Sequence, residues 1–247
     1  MKLGTLYGIG VGPGDPDLIT VKGAAILSRC PHVFVPKARK GAESVALSIA
    51  GKHINPQATI HEILFPMTTD RVELQERWEE SARLVAEVLE DGEDACFLTL
   101  GDAFLYSTYI YMLRALRERL PNVEAVTVPG ITAFSAAAAL AEFPVGEAKE
   151  PVVIVPTADD LEDIKRALAL GGTLVLMKIG KRLTAILELL EQEGMMDRGV
   201  FVAHAGMDNQ RIELDLRALK GATEEKIGYL STILIHGHPR VSGGEAS

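Results

Sequence analysis

Short, nearly continuous apolar runs alternate along this chain with longer stretches in which apolar residues return every three or four positions, the signature of buried strands separated by amphipathic helices. In the first half the runs predict strands over 3–11, 32–36, 59–64 and 95–98, and the periodic stretches predict helices over 18–29, 42–51, 70–91 and 109–120. Asp17 is placed to cap the first helix, and Leu74, Trp78, Ala82, Val85 and Leu89 make the apolar face of the third. Such alternation predicts a mostly parallel sheet with helices on its faces.

Pro121-Asn122 breaks the pattern between the basic end of the fourth helix and a new apolar strand over 123–128, so domains of 1–121 and 122–247 are expected. The second half continues with a helix of small residues over 136–141, strands over 152–155 and 173–177, and helices over 160–169 and 183–192. Strands over 199–204, 210–213 and 226–235 close it, partly antiparallel because their connections are short. The tail from about 239, with Gly243-Gly244, predicts disorder. The expected fold class is therefore α/β, with two α/β domains whose sheets are mixed and mostly parallel.

Composition removes several functional classes. With 47% apolar and 24% charged residues in 247, the chain reads as globular, and no apolar run approaches the ~18 residues of a membrane span. The N-terminus enters a glycine-rich strand rather than a signal-peptide core, so a cytoplasmic protein is expected. Cys30 and Cys96 lie in apolar surroundings without metal-ligand or redox spacing and read as buried thiols. A net charge of −9 argues against nucleic-acid binding, although a local cluster such as Lys37, Arg39 and Lys40 would suit a small anion.

Candidate chemistry concentrates in two turns. In the first, 98–108, a strand runs through Leu100-Gly101-Asp102-Ala103-Phe104-Leu105-Tyr106-Ser107-Thr108 into a helix. Gly101 permits close approach to backbone, Asp102 favours positive charge, and Tyr106, Ser107 and Thr108 supply hydroxyls beside Phe104 and Leu105, which suits a cationic, partly apolar metabolite. An ordinary turn with Asp102 as helix cap would use the same residues. The second, Gly8-Ile9-Gly10-Val11-Gly12-Pro13-Gly14-Asp15-Pro16, fails the dinucleotide spacing because Pro13 stands where the last glycine belongs, and no ribose-binding acid follows near Phe34-Val35-Pro36. Its prolines make it a stiff wall poor in amide donors. His204, His236 and His238 lack a carboxylate cluster, and no resident metal is expected.

Taken in order, the 8–16 loop, Leu100-Gly101-Asp102 with its hydroxyls, the turn Val128-Pro129-Gly130-Ile131-Thr132-Ala133 and Met177-Lys178 resemble the tetrapyrrole methylase family over nearly the whole chain. Leu6-Tyr7 and the 102–108 stretch are similar to the family's C20-methyltransferases of cobalamin synthesis, which act on precorrin-2 or cobalt-precorrin-2. Many relatives read Gly-Asp-Pro where this chain has Gly101-Asp102-Ala103.

The resemblance implies two α/β domains with a cofactor cleft between them, a homodimer, a tetrapyrrole substrate and S-adenosylmethionine, released as S-adenosylhomocysteine. It implies cofactor contacts at Leu100, Gly101, Asp102, Leu105, Ser107, Thr132, Ala133, Met177 and Ala203. Asp102 would favour the cationic cofactor or take the C20 proton, with Tyr106 as the second polar candidate. The wall Gly12, Pro13, Gly14 and Asp15 and the rim Lys37, Arg39 and Lys40 would face the substrate, whose carboxylates need cations. Two rivals stand beside this reading: a methyltransferase of the same fold acting on a protein, as diphthine synthase does, and a non-catalytic dinucleotide sensor using the glycine loop.

Overall fold

A computed structural model describes residues 2–39, 41, 43–65, 70–156, 161–222 and 230–237. The chain forms two compact units, Met1–Thr132 and Ala133–Ser247. The first contains β1 (Thr5–Gly10), α1 (Val21–Leu27), β2 (His32–Lys37), α2 (Val45–Ala50), β3 (Thr59–Leu64), α3 (Arg71–Glu90), β4 (Ala95–Thr99), α4 (Tyr109–Arg119) and β5 (Glu124–Val128). Its five strands lie in the order β3-β2-β4-β1-β5, and every pair is parallel. All their carboxyl ends therefore share one edge. From β1 the chain crosses past β4 to reach β2, whereas from β4 it crosses past β1 to reach β5. The two connections diverge, which makes the β1–β4 pair the switch point of the sheet, where open α/β sheets receive ligands.

Helix α3 forms because Asp70 Oδ1 accepts the amides of Val72 (2.8 Å) and Glu73 (3.3 Å), and because Ala82, Val85, Ala86 and Leu89 recur on one buried face. That face and Tyr109, Met112 and Leu116 of α4 pack with Leu6, Phe34 and Phe97 of the strands. Each large apolar side chain among them contributes about 1.5–3 kcal/mol by leaving water.

Two boundaries differ from the sequence pattern. Asp15, not Asp17, is the first cap: it holds a short 3-10 turn over Pro16–Leu18, and α1 begins only after Thr20, whose hydroxyl accepts the Gly23 amide at 3.1 Å. Proline suits the opening position of that turn, while Asp17 is ion-paired with Lys52. Strand β5, assigned by pattern to the second half, is hydrogen-bonded along β1, so the compact units part after Thr132 rather than at Pro121. The predicted helix start at Ala42 lies outside the described residues, and α2 is capped by Ser44.

The second unit contains α5 (Ala133–Leu140), β6 (Val152–Pro156), α6 (Glu162–Ala169), β7 (Thr173–Met177), α7 (Leu183–Gln192), β8 (Gly199–Ala203), β9 (Arg211–Glu213) and β10 (Ser231–His236). Its sheet has the order β6-β7-β10-β8-β9; β6 and β7 are parallel, and β10 runs antiparallel to both β7 and β8. Helix α7 buries Leu183, Ile186 and Leu190 in a core with Leu176, Phe201 and Ile233. The predicted strand residues 226–229 and the tail from 238 lie outside the described residues.

Candidate active site

Three loops leave the carboxyl ends of β4, β1 and β5 with their backbones in contact. Gly12 and Gly101 exchange amide hydrogen bonds, Gly101 N to Gly12 O at 2.8 Å and Gly12 N to Gly101 O at 3.2 Å. A β-carbon on Gly10 would lie 2.5 Å from Gly130 N, and one on Gly130 would lie 2.1 Å from Gly101 O. Backbone occupies both positions, so only glycine fits there. Gly101 has a different reason: its φ is +70°, and a β-carbon there would meet only Ile131 O, at 3.9 Å. On that side the backbone has room beside it, although the residue itself is buried.

Asp102 joins two of these loops. Its Oδ1 accepts the Phe104 amide at 2.8 Å within its own turn, and its Oδ2 accepts the Gly130 amide at 3.0 Å from the loop after β5. The following residues divide between inside and outside. Ala103 is fully buried, and the buried Ser107 hydroxyl donates to the Ala103 carbonyl. Leu100 and Leu105 are half-buried, as is Thr132 after β5, whereas Phe104, Tyr106 and Ile131 are exposed. Tyr106 is held at φ +52°, a left-handed backbone that non-glycine residues rarely adopt. The turn after Gly101 thus carries exposed Phe104 and Tyr106 beside half-buried Leu105.

The predicted substrate residues separate. Gly12, Pro13 and Gly14 are buried, and half-buried Asp15 accepts the Asp17 amide at 2.8 Å, so this loop is braced from inside. His53 Nε2 lies 3.1 Å from Pro16 O and strengthens the brace. Lys37 is not a free cation: its Nζ lies 2.6 Å from Glu62 Oε1, because β3 runs beside β2. Arg39 is exposed, and Lys40 lies outside the described residues.

In the second unit, β7 and β8 flank β10 and end at the same edge, with Met177 opposite Thr232 and Ala203 opposite Ser231. Ala133 opens α5, half-buried. Met177 is half-buried and Ala203 buried. The residues that follow, Lys178 (φ +58°) and His204 (φ +51°), are left-handed although neither is glycine. Strained backbones of this kind gather at ligand sites, and no periodicity in the sequence reveals them. Among the described residues no group of three or more His, Cys, Asp or Glu side chains is placed to hold a metal. His236 instead stacks on Phe143 at 4.0 Å, and His238 lies outside the described residues.

A parallel sheet with a glycine crossing at its switch point, followed by a mixed second sheet, defines a two-unit α/β protein. The particular family follows from similarity: the model of the Tetrapyrrole (Corrin/Porphyrin) Methylases matches residues 5–219, and the chain belongs to that family. It is 34% identical over 233 residues to a cobalt-precorrin-2 C(20)-methyltransferase of Salmonella typhimurium, covering 94% of this chain and 96% of the relative. It is 28% identical to a precorrin-2 C(20)-methyltransferase of Sinorhizobium over 95% of this chain and 96% of that one. The crystal structure of a cobalt precorrin-4 methyltransferase superposes with a TM-score of 0.72 at 23% identity, covering 95% of this chain and 96% of the other, which shows the shared fold.

Proposed function

We propose that this chain is an S-adenosylmethionine-dependent C-methyltransferase that methylates C20 of precorrin-2 or cobalt-precorrin-2 in cobalamin biosynthesis. The observation that carries the choice of C20 is the end-to-end similarity to enzymes named for that position. Similarity to precorrin-4 C(11)-methyltransferases is shorter, covering 66% of this chain for that of Pseudomonas aeruginosa and 77% for that of Mycobacterium tuberculosis. Membership in a methylase family argues against the dinucleotide sensor, and the braced proline loop favours a small acceptor over a protein.

When bound, S-adenosylmethionine supplies an electrophilic methyl group. The protein's share is to hold the acceptor carbon in line with that methyl at ~3–3.5 Å and to keep water out, which can supply about 7–11 kcal/mol of the barrier. In the first unit Leu100, Gly101, Asp102, Leu105, Ser107 and Thr132 are the cofactor contacts, Ser107 through its backbone because its hydroxyl is engaged. Ala133, Met177 and Ala203 belong to the same set in the second unit. Exposed Tyr106, on the same turn as Gly101, is assigned to the reacting carbon. Asp15 and Arg39, with the paired Lys37 and with Lys40, are assigned to the substrate. Gly12, Pro13 and Gly14 act from beneath, as a support that fixes the wall. A cytoplasmic homodimer completes this reading.

Incubation with labelled S-adenosylmethionine and each tetrapyrrole tests it. One added methyl, located at C20 by NMR, is expected. Methylation at another carbon, or none on either substrate, would sink the assignment.

A further inference from the structure

The geometry points to Asp102 as a positioning residue: its carboxylate clasps the loop after β4 to the loop after β5 and thereby shapes the cofactor surface, rather than serving as the base that removes the C20 proton. The proposal rests on the methyltransferase reading only for the identity of the ligand. Three observations carry it. Both carboxylate oxygens are engaged by backbone amides, Oδ1 by Phe104 at 2.8 Å and Oδ2 by Gly130 at 3.0 Å. The Gly130 bond spans 28 residues and joins the ends of strands that are not neighbours, since β1 lies between β4 and β5. The same Gly130 is pressed between Gly10 and Gly101 so closely that no β-carbon fits, so small displacements of its amide are transmitted to the Gly101 face.

A proton taken up by either oxygen in the reaction would weaken the acceptor of one of these bonds. A base at this position would therefore loosen the loops in each turnover, whereas a clasp keeps them fixed throughout. The charge remains useful: an anionic acceptor makes amide bonds roughly twice as strong as a neutral one.

Asp102→Asn leaves one acceptor oxygen and turns an NH2 toward the other amide. S-adenosylhomocysteine affinity, measured by calorimetry on the full chain, is expected to fall about ten- to hundredfold, the loss typical of one charge-assisted bond. The cofactor KM should rise in step, the tetrapyrrole KM should stay near wild type, and the pH profile of kcat should keep its shape. Gly130→Ala is the companion variant, because it displaces the amide while leaving the carboxylate intact; it should reproduce the affinity loss. Hydrogen exchange at the Gly130 amide, read by NMR without ligand, should speed up at least about tenfold in Asp102→Asn while β1 and β4 amides stay protected.

Wild-type affinity with a kcat profile that has lost one limb would identify a base and overturn the clasp. Unchanged Gly130 exchange would overturn it as well. Failure of the wild-type chain to bind S-adenosylhomocysteine would instead sink the methyltransferase reading, and the exchange result would still decide whether the clasp exists.

Discussion

The ring of Tyr109 fills the space that a β-carbon on Gly8 would need, its Cζ lying 2.1 Å from that position. Gly8 sits mid-strand in β1, and Tyr109 begins α4, directly after the turn that carries Asp102. The ring is fully buried, its hydroxyl lies 3.0 Å from Thr127 Oγ1 of β5, and burial raises its ionisation above the usual tyrosine range. One aromatic residue thus locks the start of α4 under the strands that bear the site. Gly8→Ala should cost about 3 kcal/mol, the upper end of overpacking, because strand and ring cannot both yield. Urea unfolding measures it. Combined with Tyr109→Leu the loss should be smaller than the sum of the single losses; strict additivity would remove the ring as the cause.

A second prediction concerns pH. His32 Nδ1 and His61 Nε2 lie 2.9 Å apart on neighbouring strands, and His61 stacks on Phe34 with ring centres 4.5 Å apart. One imidazole must donate and the other accept. Burial, and after it the charge on His32, lowers the His61 pKa below its ordinary 6.5. A histidine with a depressed folded pKa binds fewer protons folded than unfolded. Its contribution to stability is complete above pH 6.5 and is lost as the pH falls below that value toward the folded pKa. His61→Phe keeps a ring on Phe34 and removes the titration. The fall in unfolding free energy on the acid side of pH 6.5 should therefore be shallower in the variant. An equal slope in both proteins would assign the acid sensitivity elsewhere.

What could be read in advance follows the range of the interaction. The apolar run of β4 and the hydrophobic period of α3 are local, and both elements appear within a residue or two of their predicted limits. The turn after Leu100 was legible because Gly101, Asp102 and the hydroxyls of residues 106–108 fall within one short stretch between a strand and a helix. The partner of Asp102 was not, since Gly130 becomes a neighbour only when β5 settles beside β1. The same reason hides the Lys37–Glu62 pair, which takes one cation of the expected basic rim. The first helix cap was misplaced because Asp15 and Thr20 compete with Asp17 over a few residues, and the winner depends on a Lys52 contact from another element. Backbone strain at Tyr106, Lys178 and His204 leaves no mark in residue type at all.

That strain yields the last prediction. His204 follows β8 at φ +51°, and its amide donates to Leu230 O at 2.8 Å, which holds the chain in the left-handed turn. A side chain in this conformation costs about 1 kcal/mol that glycine would not. If strain alone mattered, glycine would be the better residue at this position. Contact with a bound ligand at the strand-end edge beside Ala203 is the contribution that its replacement tests. His204→Gly should therefore raise stability by about 1 kcal/mol in thermal unfolding and at the same time slow methyl transfer, with a higher KM for the tetrapyrrole. A variant that is both more stable and fully active would show that the strained histidine serves no purpose in turnover. A variant that is less stable would show that its side chain is held by packing instead.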